Sequence, residues 1–461
     1  MSKKNLYVLT EEGPSPGLSR GTQFVCDRLG LGVIIDHETS LLTRVEFPQG
    51  IAWELTPTSS GSINKIYFFL IQAPQKGSFV DCLFYLGQEP PDPASTPVAA
   101  VEITKNVLSE SNNMSDQRAA KFVPLLHKYP DLLCIYYIFS RQQITQADVE
   151  NRGPHRRAFR RMRTIGVEAV FGSPGHCDIT YDTTPYTTIE GLVAGENHKR
   201  RARTNKLSFD PTTRVVNIAT NLSKPGNQTS DPNVGWLSSM LYCICVLRND
   251  EAVSIDKHGL ENRRGYFTGR NKLTMLMRFV AQKVPLTVAG LGLFEGSTQY
   301  DNEYWKYATT GEKLGSIMQE IELKNLGYKT LFSNHAGCEK TFLLGPHGDS
   351  APMPSRGDYG IPDLVMHHPE KEELLIIEAE TKRNYHKGLE QVRENKFKNM
   401  VDNICQQWYN VVTPEQVKVV VSTYGDGDDV LAHCVAHTTE RGNTIINLGC
   451  APVYTGRHLQ G

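Results

Sequence analysis

The 461-residue chain has no apolar run long enough to cross a bilayer, no paired cysteine spacing of the metal-knuckle kind, no short tandem repeat and almost no net charge. A spanning helix needs about 20 consecutive apolar residues, and no basic-then-apolar leader stands at Met1, so a cytoplasmic protein without a membrane partner is expected. The ten cysteines are scattered. Their one close pair, Cys243 and Cys245, lies in the apolar stretch "WLSSMLYCICVL", where buried thiols are expected rather than metal ligands. Missing repeats exclude a solenoid. A formal net charge of -1 excludes a chain that is attracted to nucleic acid as a whole, and leaves that role to local clusters.

Two such clusters sit mid-chain. "NRGPHRRAFRRMRTIG" carries Arg156, Arg157, Arg160 and Arg161, and helical spacing puts Arg156 beside Arg160 and Arg157 beside Arg161. "ENHKRRARTNK" adds Lys199, Arg200, Arg201 and Arg203. One charge run is usually a solvated face, but two this close in an otherwise balanced chain point to phosphate contact. The length exceeds one ordinary core. Three parts are expected: 1–150, an N-terminal α/β domain; 151–300, a basic, mixed α/β recognition region; and 301–461, a C-terminal α/β domain.

Periodicity places the same order of elements near both ends. Toward the C-terminus come helix "GEKLGSIMQEIELKNLG", strand "PDLVMHH", turn "PEKEE", strand "LLIIEAE", a long helix from "YHKGLEQVR" and strand "QVKVVVSTYG". Toward the N-terminus come strands "KIYFFLIQ", "SFVDCLFYLG" and "VAAVEITKN", helix "DQRAAKFVPLLHKY" and strand "DLLCIYYIFS". Each has an aspartate on one strand and a glutamate on the next: Asp363 then Glu378, and Asp81 then Glu102.

In a strand, positions i and i+2 share a face, so Glu378 and Glu380 emerge together and Ala379 and Thr381 face the other way. Carboxylates directly after four apolar residues are costly at a buried edge unless something balances them. Hard cations such as Mg²⁺ take one or two carboxylates together with water and phosphate oxygens. Whether Asp363 lies beside Glu378 depends on strand register, which sequence does not settle.

Proline-aspartate, a gap of fifteen positions, then acid-x-acid or acid-x-lysine on an apolar strand resembles the PD-(D/E)xK nuclease superfamily, and "NHAGCEK" with "EYWKYATTGEKLG" extends the likeness toward Type II restriction endonucleases over roughly residues 300 to 425. The resemblance implies a nuclease core, a mixed sheet flanked by helices, in which Asp363 and Glu378 hold Mg²⁺ (Mn²⁺ substituting) and Glu380 takes the third position. In a second alignment Glu380-Thr381-Lys382 is the acid-x-lysine element. Glu339 is a further candidate metal ligand, while His335 reads as a hydrogen-bonded structural histidine.

In the N-terminal copy the third position is Thr104 and the lysine arrives one residue late, as Lys105, so a bulge is needed to turn it onto the site. That copy is an active second centre (Asp81, Glu102, Lys105), a DNA-binding relic, or unrelated. The function implied is a restriction-type endonuclease cutting double-stranded DNA to 5′-phosphate and 3′-hydroxyl ends, with a cognate DNA methyltransferase as functional partner and a homodimer if only one centre works. The alternatives are a structure-selective repair or recombination nuclease and a non-catalytic DNA-binding protein.

Overall fold

The computed structural model describes residues 3–10, 16–36, 41–48, 50–59, 61–70, 80–92, 94–105, 118–140, 143–151, 156–173, 178–197, 206–219, 231–248, 254–258, 287–288, 312–333, 342–344, 350–352, 362–381, 385–393, 402, 416–424, 433–439 and 443–451. These residues form a mixed α/β protein with two large mixed sheets flanked by helices.

The first sheet is built from β1 (Lys4–Thr10), β2 (Leu42–Phe47), β3 (Gly50–Leu55), β4 (Ile63–Leu70), β5 (Cys82–Gly87), β6 (Ala99–Lys105), β7 (Leu133–Phe139), β8 (Val167–Gly172) and β9 (Ile179–Thr180), in the order β2-β3-β4-β1-β5-β6-β7-β8-β9. β1 pairs antiparallel with β5 and β5 with β6, whereas β6, β7 and β8 run parallel. The run "LCIYYIF" suits β7 because parallel strands are covered on both faces. Cys134, Tyr136 and Ile138 enter one core and Ile135, Tyr137 and Phe139 the other. Helix α1 (Pro16–Arg28) packs Leu18, Val25 and Cys26 on the second of these faces. The first is covered by α2 (Val123–Lys128) with the helical turn over 118–121 before it, by α4 (Arg156–Thr164) and, farther along the chain, by α6 (Asp231–Leu247). The short α3 (Gln146–Glu150) links β7 to α4. Because β8 and β9 complete this sheet, the N-terminal unit runs through the boundary expected at 150. The arginine-rich helix α4 therefore packs on that sheet instead of opening a separate region.

In chain order there follow α5 (Ile189–Glu196) and a four-stranded sheet of β10 (Lys206–Asp210), β11 (Val215–Ala219), β12 (Ser254–His258) and β13 (Thr287–Val288). On α6, Cys243 is buried and Cys245 half-buried, neither in a disulfide. Among the described residues no helix is long and apolar enough to cross a membrane.

The C-terminal unit starts with α7 (Glu312–Asn325) and a six-stranded sheet, order β14-β17-β18-β19-β20-β21, of β14 (Lys329–Ser333), β17 (Leu364–His368), β18 (Glu373–Thr381), β19 (Val417–Tyr424), β20 (His433–Thr439) and β21 (Asn443–Ala451). β15 (Phe342–Leu344) and β16 (Ser350–Pro352) form a hairpin of their own, and α8 (Tyr385–Arg393) precedes β19. β14 with β17 and β17 with β18 are antiparallel, and β18 with β19 is parallel. This repeats the β1-β5-β6-β7 pattern of the first sheet. The turn after β17 places Glu372 at φ 51, and sets Leu364 opposite Ile377.

Helices α1 and α7 end alike. In α7 the Tyr328 N–H donates to Leu323 O and the Gly327 N–H to Lys324 O, with Gly327 at φ 95. In α1 Leu31 N–H donates to Cys26 O and Gly30 N–H to Asp27 O, with Gly30 at φ 63. Both are Schellman closures, which need a left-handed residue that glycine adopts without strain. α7 also joins the two units: Ile317 and Ile321 are buried with the α1-side core of the first sheet, Leu323 with the core of the second, and Asn325 Nδ2 donates to Leu42 O at 3.0 Å.

Candidate functional site

The C-terminal carboxylates meet where β17 begins and β18 nears its end. Since Leu364 pairs with Ile377, Asp363 sits one step before the pair on its strand and Glu378 one step after it on the other. Asp363 Oδ2 accepts the Ala379 N–H at 2.8 Å, and its own N–H donates to Ile377 O at 3.0 Å. The aspartate is thereby clamped to the backbone on both sides of Glu378. Glu378 and Glu380 share the face opposite Ile377, whose side chain enters the core under α7. On the carboxylate face lies α8. Its Gln391 Nε2 donates to Glu378 Oε1 at 3.2 Å. Gly388 lets the helix come close, because a Cβ there would stand 2.8 Å from Val421 Cγ1 and 3.0 Å from Glu380 Cγ. Glu380 is buried, and Asp363 and Glu378 are half-buried. The hydrogen bond from Ala379 N–H places Asp363 with Glu378, the pairing of the acid-x-acid alignment. Lys382, His335 and Glu339 lie outside the described residues.

The N-terminal copy has the same frame. Cys82 pairs with Val101, Asp81 stands one step before and Glu102 one step after, and Asp81 Oδ2 accepts the Ile103 N–H at 2.7 Å. Glu102 and Thr104 face away from Val101 and Ile103, which pack toward α1. Here too the helix after the glutamate strand reaches back. Lys121 Nζ lies 2.6 Å from Glu102 Oε1 and 3.8 Å from Asp81 Oδ1, and Arg118 Nη1 is 2.5 Å from Glu102 Oε1. Glu102 is 0% exposed, and Asp81 and Lys121 are buried. Burial, followed by the charge of Asp81, pushes the Glu102 carboxyl up to about 7 against the pull of Lys121 and Arg118. Its Oε2 is buried without a hydrogen-bond partner among the described residues, which costs about 1–3 kcal/mol if nothing binds there.

The bulge expected before position 105 is absent. β6 pairs with β7 without a register shift from Ala99 through Lys105. The strand keeps its regular alternation through that position. The buried lysine beside Glu102 is Lys121, which sequence reasoning passed over because it is nineteen positions from Glu102 and only the crossover fold brings it back. Gln391 was missed for the same reason.

The first basic cluster is largely occupied within the protein. Arg161 is 1% exposed, and its Nη1 lies 2.7 Å from Glu196 Oε2, a carboxylate that also accepts from Tyr186 Oη at 3.1 Å and Trp236 Nε1 at 3.2 Å. A buried, paired arginine holds α4, α5 and α6 together and does not meet DNA, which corrects the expectation for that residue. Arg157 Nη1 donates to Glu196 O at 3.2 Å, and Arg160 Nε donates to Thr184 O at 2.9 Å while its guanidinium lies 4.0 Å from the Tyr186 ring centre. Arg156 is exposed. Lys199, Arg200, Arg201 and Arg203 lie outside the described residues.

Among the described residues no three His, Cys, Asp or Glu side chains stand together as a ready-made metal site. Asp363, clamped to the backbone beside Glu378, offers oxygen donors of the kind a hard cation takes with water and phosphate, whereas Lys121 and Arg118 already balance Glu102 and Asp81. No family model, curated protein or solved structure matches the chain.

Proposed function

We propose that the chain is a Mg²⁺-dependent, sequence-specific double-stranded DNA endonuclease of restriction type, with a PD-(D/E)xK core in the C-terminal sheet. The observation that carries this reading is the Asp363 carboxylate bonded to the Ala379 N–H beside Glu378, a bond that Asp81 repeats with the Ile103 N–H beside Glu102. Two separate strand pairs that hold an aspartate and a glutamate in one register argue for a shared chemical task.

Asp363 and Glu378 would hold Mg²⁺, or Mn²⁺ in its place. Bound there, the cation would polarise the scissile phosphate and help ionise water. Glu380, on the same face and shielded by α8, would take the proton of the attacking water. Gln391 keeps the Glu378 carboxylate oriented by donating to it, so the ligand arrives with its rotamer already chosen. Lys382 remains the proposed alternative for the third position, and Glu339 for an added ligand. Arg156, Arg157 and Arg160 at the α4 surface, with Lys199, Arg200, Arg201 and Arg203, would contact the DNA backbone. Double-stranded DNA, a cognate methyltransferase and, if one centre acts alone, a second copy of the chain complete the proposed partners, in the cytoplasm.

The test is a digest of plasmid DNA with Mg²⁺. Discrete fragments, lost in Asp363→Asn, are expected. Cutting confined to branched substrates would move the reading to a structure-selective nuclease, and binding without cutting under any divalent metal would remove it.

A further inference from the structure

We infer that the N-terminal carboxylate pair is closed by a cation of the chain's own, the Lys121 ammonium, so that each chain carries one divalent-cation centre and cuts one strand, and a second copy of the chain is needed to cut a duplex. This rests on the nuclease reading above and adds to it the number of working centres. Three observations carry it. Lys121 Nζ stands 2.6 Å from Glu102 Oε1 and 3.8 Å from Asp81 Oδ1, and Arg118 Nη1 stands 2.5 Å from Glu102 Oε1, so two positive side chains meet two negative ones. Glu102 is 0% exposed, and Asp81 and Lys121 are 4% exposed, whereas Mg²⁺ gives up its waters reluctantly and keeps several of them. The position that Glu380 has on β18 is held on β6 by Thr104, a buried alcohol with no carboxylate to take a proton.

Both sheets hold an aspartate against a strand N–H beside a glutamate, and such a pair at a covered strand end is costly unless a positive charge offsets it. Near Glu378 the crossover helix brings the neutral amide of Gln391, and Asp363 and Glu378 are half-buried, which admits an ion with its waters. Near Glu102 the helical turn before α2 brings Lys121 and Arg118 instead. An ammonium is a compact point charge with three donors. Once it stands between the carboxylates, a divalent ion is repelled from the same place. The lysine also ties this turn, and with it α2, to β5 and β6, so the N-terminal sheet keeps its cover without a metal. Two antiparallel DNA strands then require two chains, and a two-fold axis between the copies presents the same centre to each strand.

The experiment uses the full-length chain. Free Mn²⁺ is followed by electron paramagnetic resonance during titration of the wild type and of Asp363→Asn. One ion per chain in the first and none in the second are expected, and an ion kept by Asp363→Asn overturns the assignment. Thermal melts without metal test the lysine directly. Lys121→Met should melt about 10 °C below the wild type, and adding Glu102→Gln should regain part of that loss, because the carboxylate left unpaired is then gone. An unchanged melt for Lys121→Met overturns the lock; if that variant does not fold, the metal count decides, since it needs no change in the N-terminal sheet. On supercoiled plasmid, Asp363→Asn should nick about a hundredfold more slowly than the wild type, or slower still. Wild type mixed with excess Asp363→Asn should leave nicked circles as a lasting product, because a mixed pair has one working centre. Nicking by Asp363→Asn near the wild-type rate overturns the single centre, and linear DNA from the mixture without lasting nicks overturns the need for a second copy. A wild-type chain with no bound ion and no cleavage would fail the nuclease reading alone, since the melts would still decide the lock.

Discussion

The two sheets hold the same pair of carboxylates by the same backbone hydrogen bond, yet surround them differently. Around Glu102 two cations, Lys121 and Arg118, face two carboxylates, and the group lies under the core built by α2, α4 and α6. Around Glu378 the strand end also carries Glu380, α8 packs close to both, and from that helix the neutral amide of Gln391 donates to Glu378. The strand frame is therefore separable from the charge balance. The frame comes from register and two β-strand backbones, and the charge from whichever side chains the crossover helix presents. The topology separates in the same way: β1, before the first helix, fills the place that β14, after it, fills in the second sheet.

Substitutions that remove one side of this likeness test it most strongly. Glu380→Gln removes the proposed proton acceptor of the C-terminal centre and is expected to slow cleavage by about 10²- to 10⁴-fold, with the melting temperature little changed; Thr104→Val, at the matching position, should leave cleavage within a fewfold of wild type. Equal losses would mean that the two third positions work alike. The cover of the N-terminal sheet is broken by Arg161→Ala, which leaves Glu196 buried without its guanidinium, and should cost about 3–5 kcal/mol in denaturant unfolding. Arg156→Ala, on the exposed side of the same helix, should leave stability within about 0.5 kcal/mol while weakening DNA binding in a salt-dependent way. Comparable stability losses would contradict the split between buried and surface arginines.

Gly388→Ala places a methyl group against Val421 and Glu380, and should lower stability by about 1–3 kcal/mol together with activity of the C-terminal centre. A neutral melt with full cleavage would show that α8 has room to move. The smallest effect is expected for Gln391→Leu. Losing its bond to Glu378 should cost about 1 kcal/mol, read as a fewfold rise in the Mn²⁺ needed for half-maximal cleavage, while Gln391→Lys would import the N-terminal charge pattern and weaken cation binding further.

The strands were readable because their apolar runs are long and regular: "LLIIEAE" and "LCIYYIF" each became the strand expected, and "PEKEE" became the turn. The segment around β8 was assigned to the wrong unit because a charged helix reads as a surface element. Arg161 and Glu196, apart in sequence, cancel each other only once α4 and α5 pack together. Likewise the lysine beside Glu102 was sought next door, at 105, since local spacing is all that a motif records.

Alternation along a strand determined which side chains share a face, Glu378 with Glu380 and Glu102 with Thr104, because the pleat has a period of two whatever the strand packs against. Tertiary structure alone decided that Asp363 stands beside Glu378, that Asp81 stands beside Glu102, and that Lys121 and Gln391 close over them. Those contacts depend on strand register and helix docking, which are set by the burial of side chains far from the carboxylates.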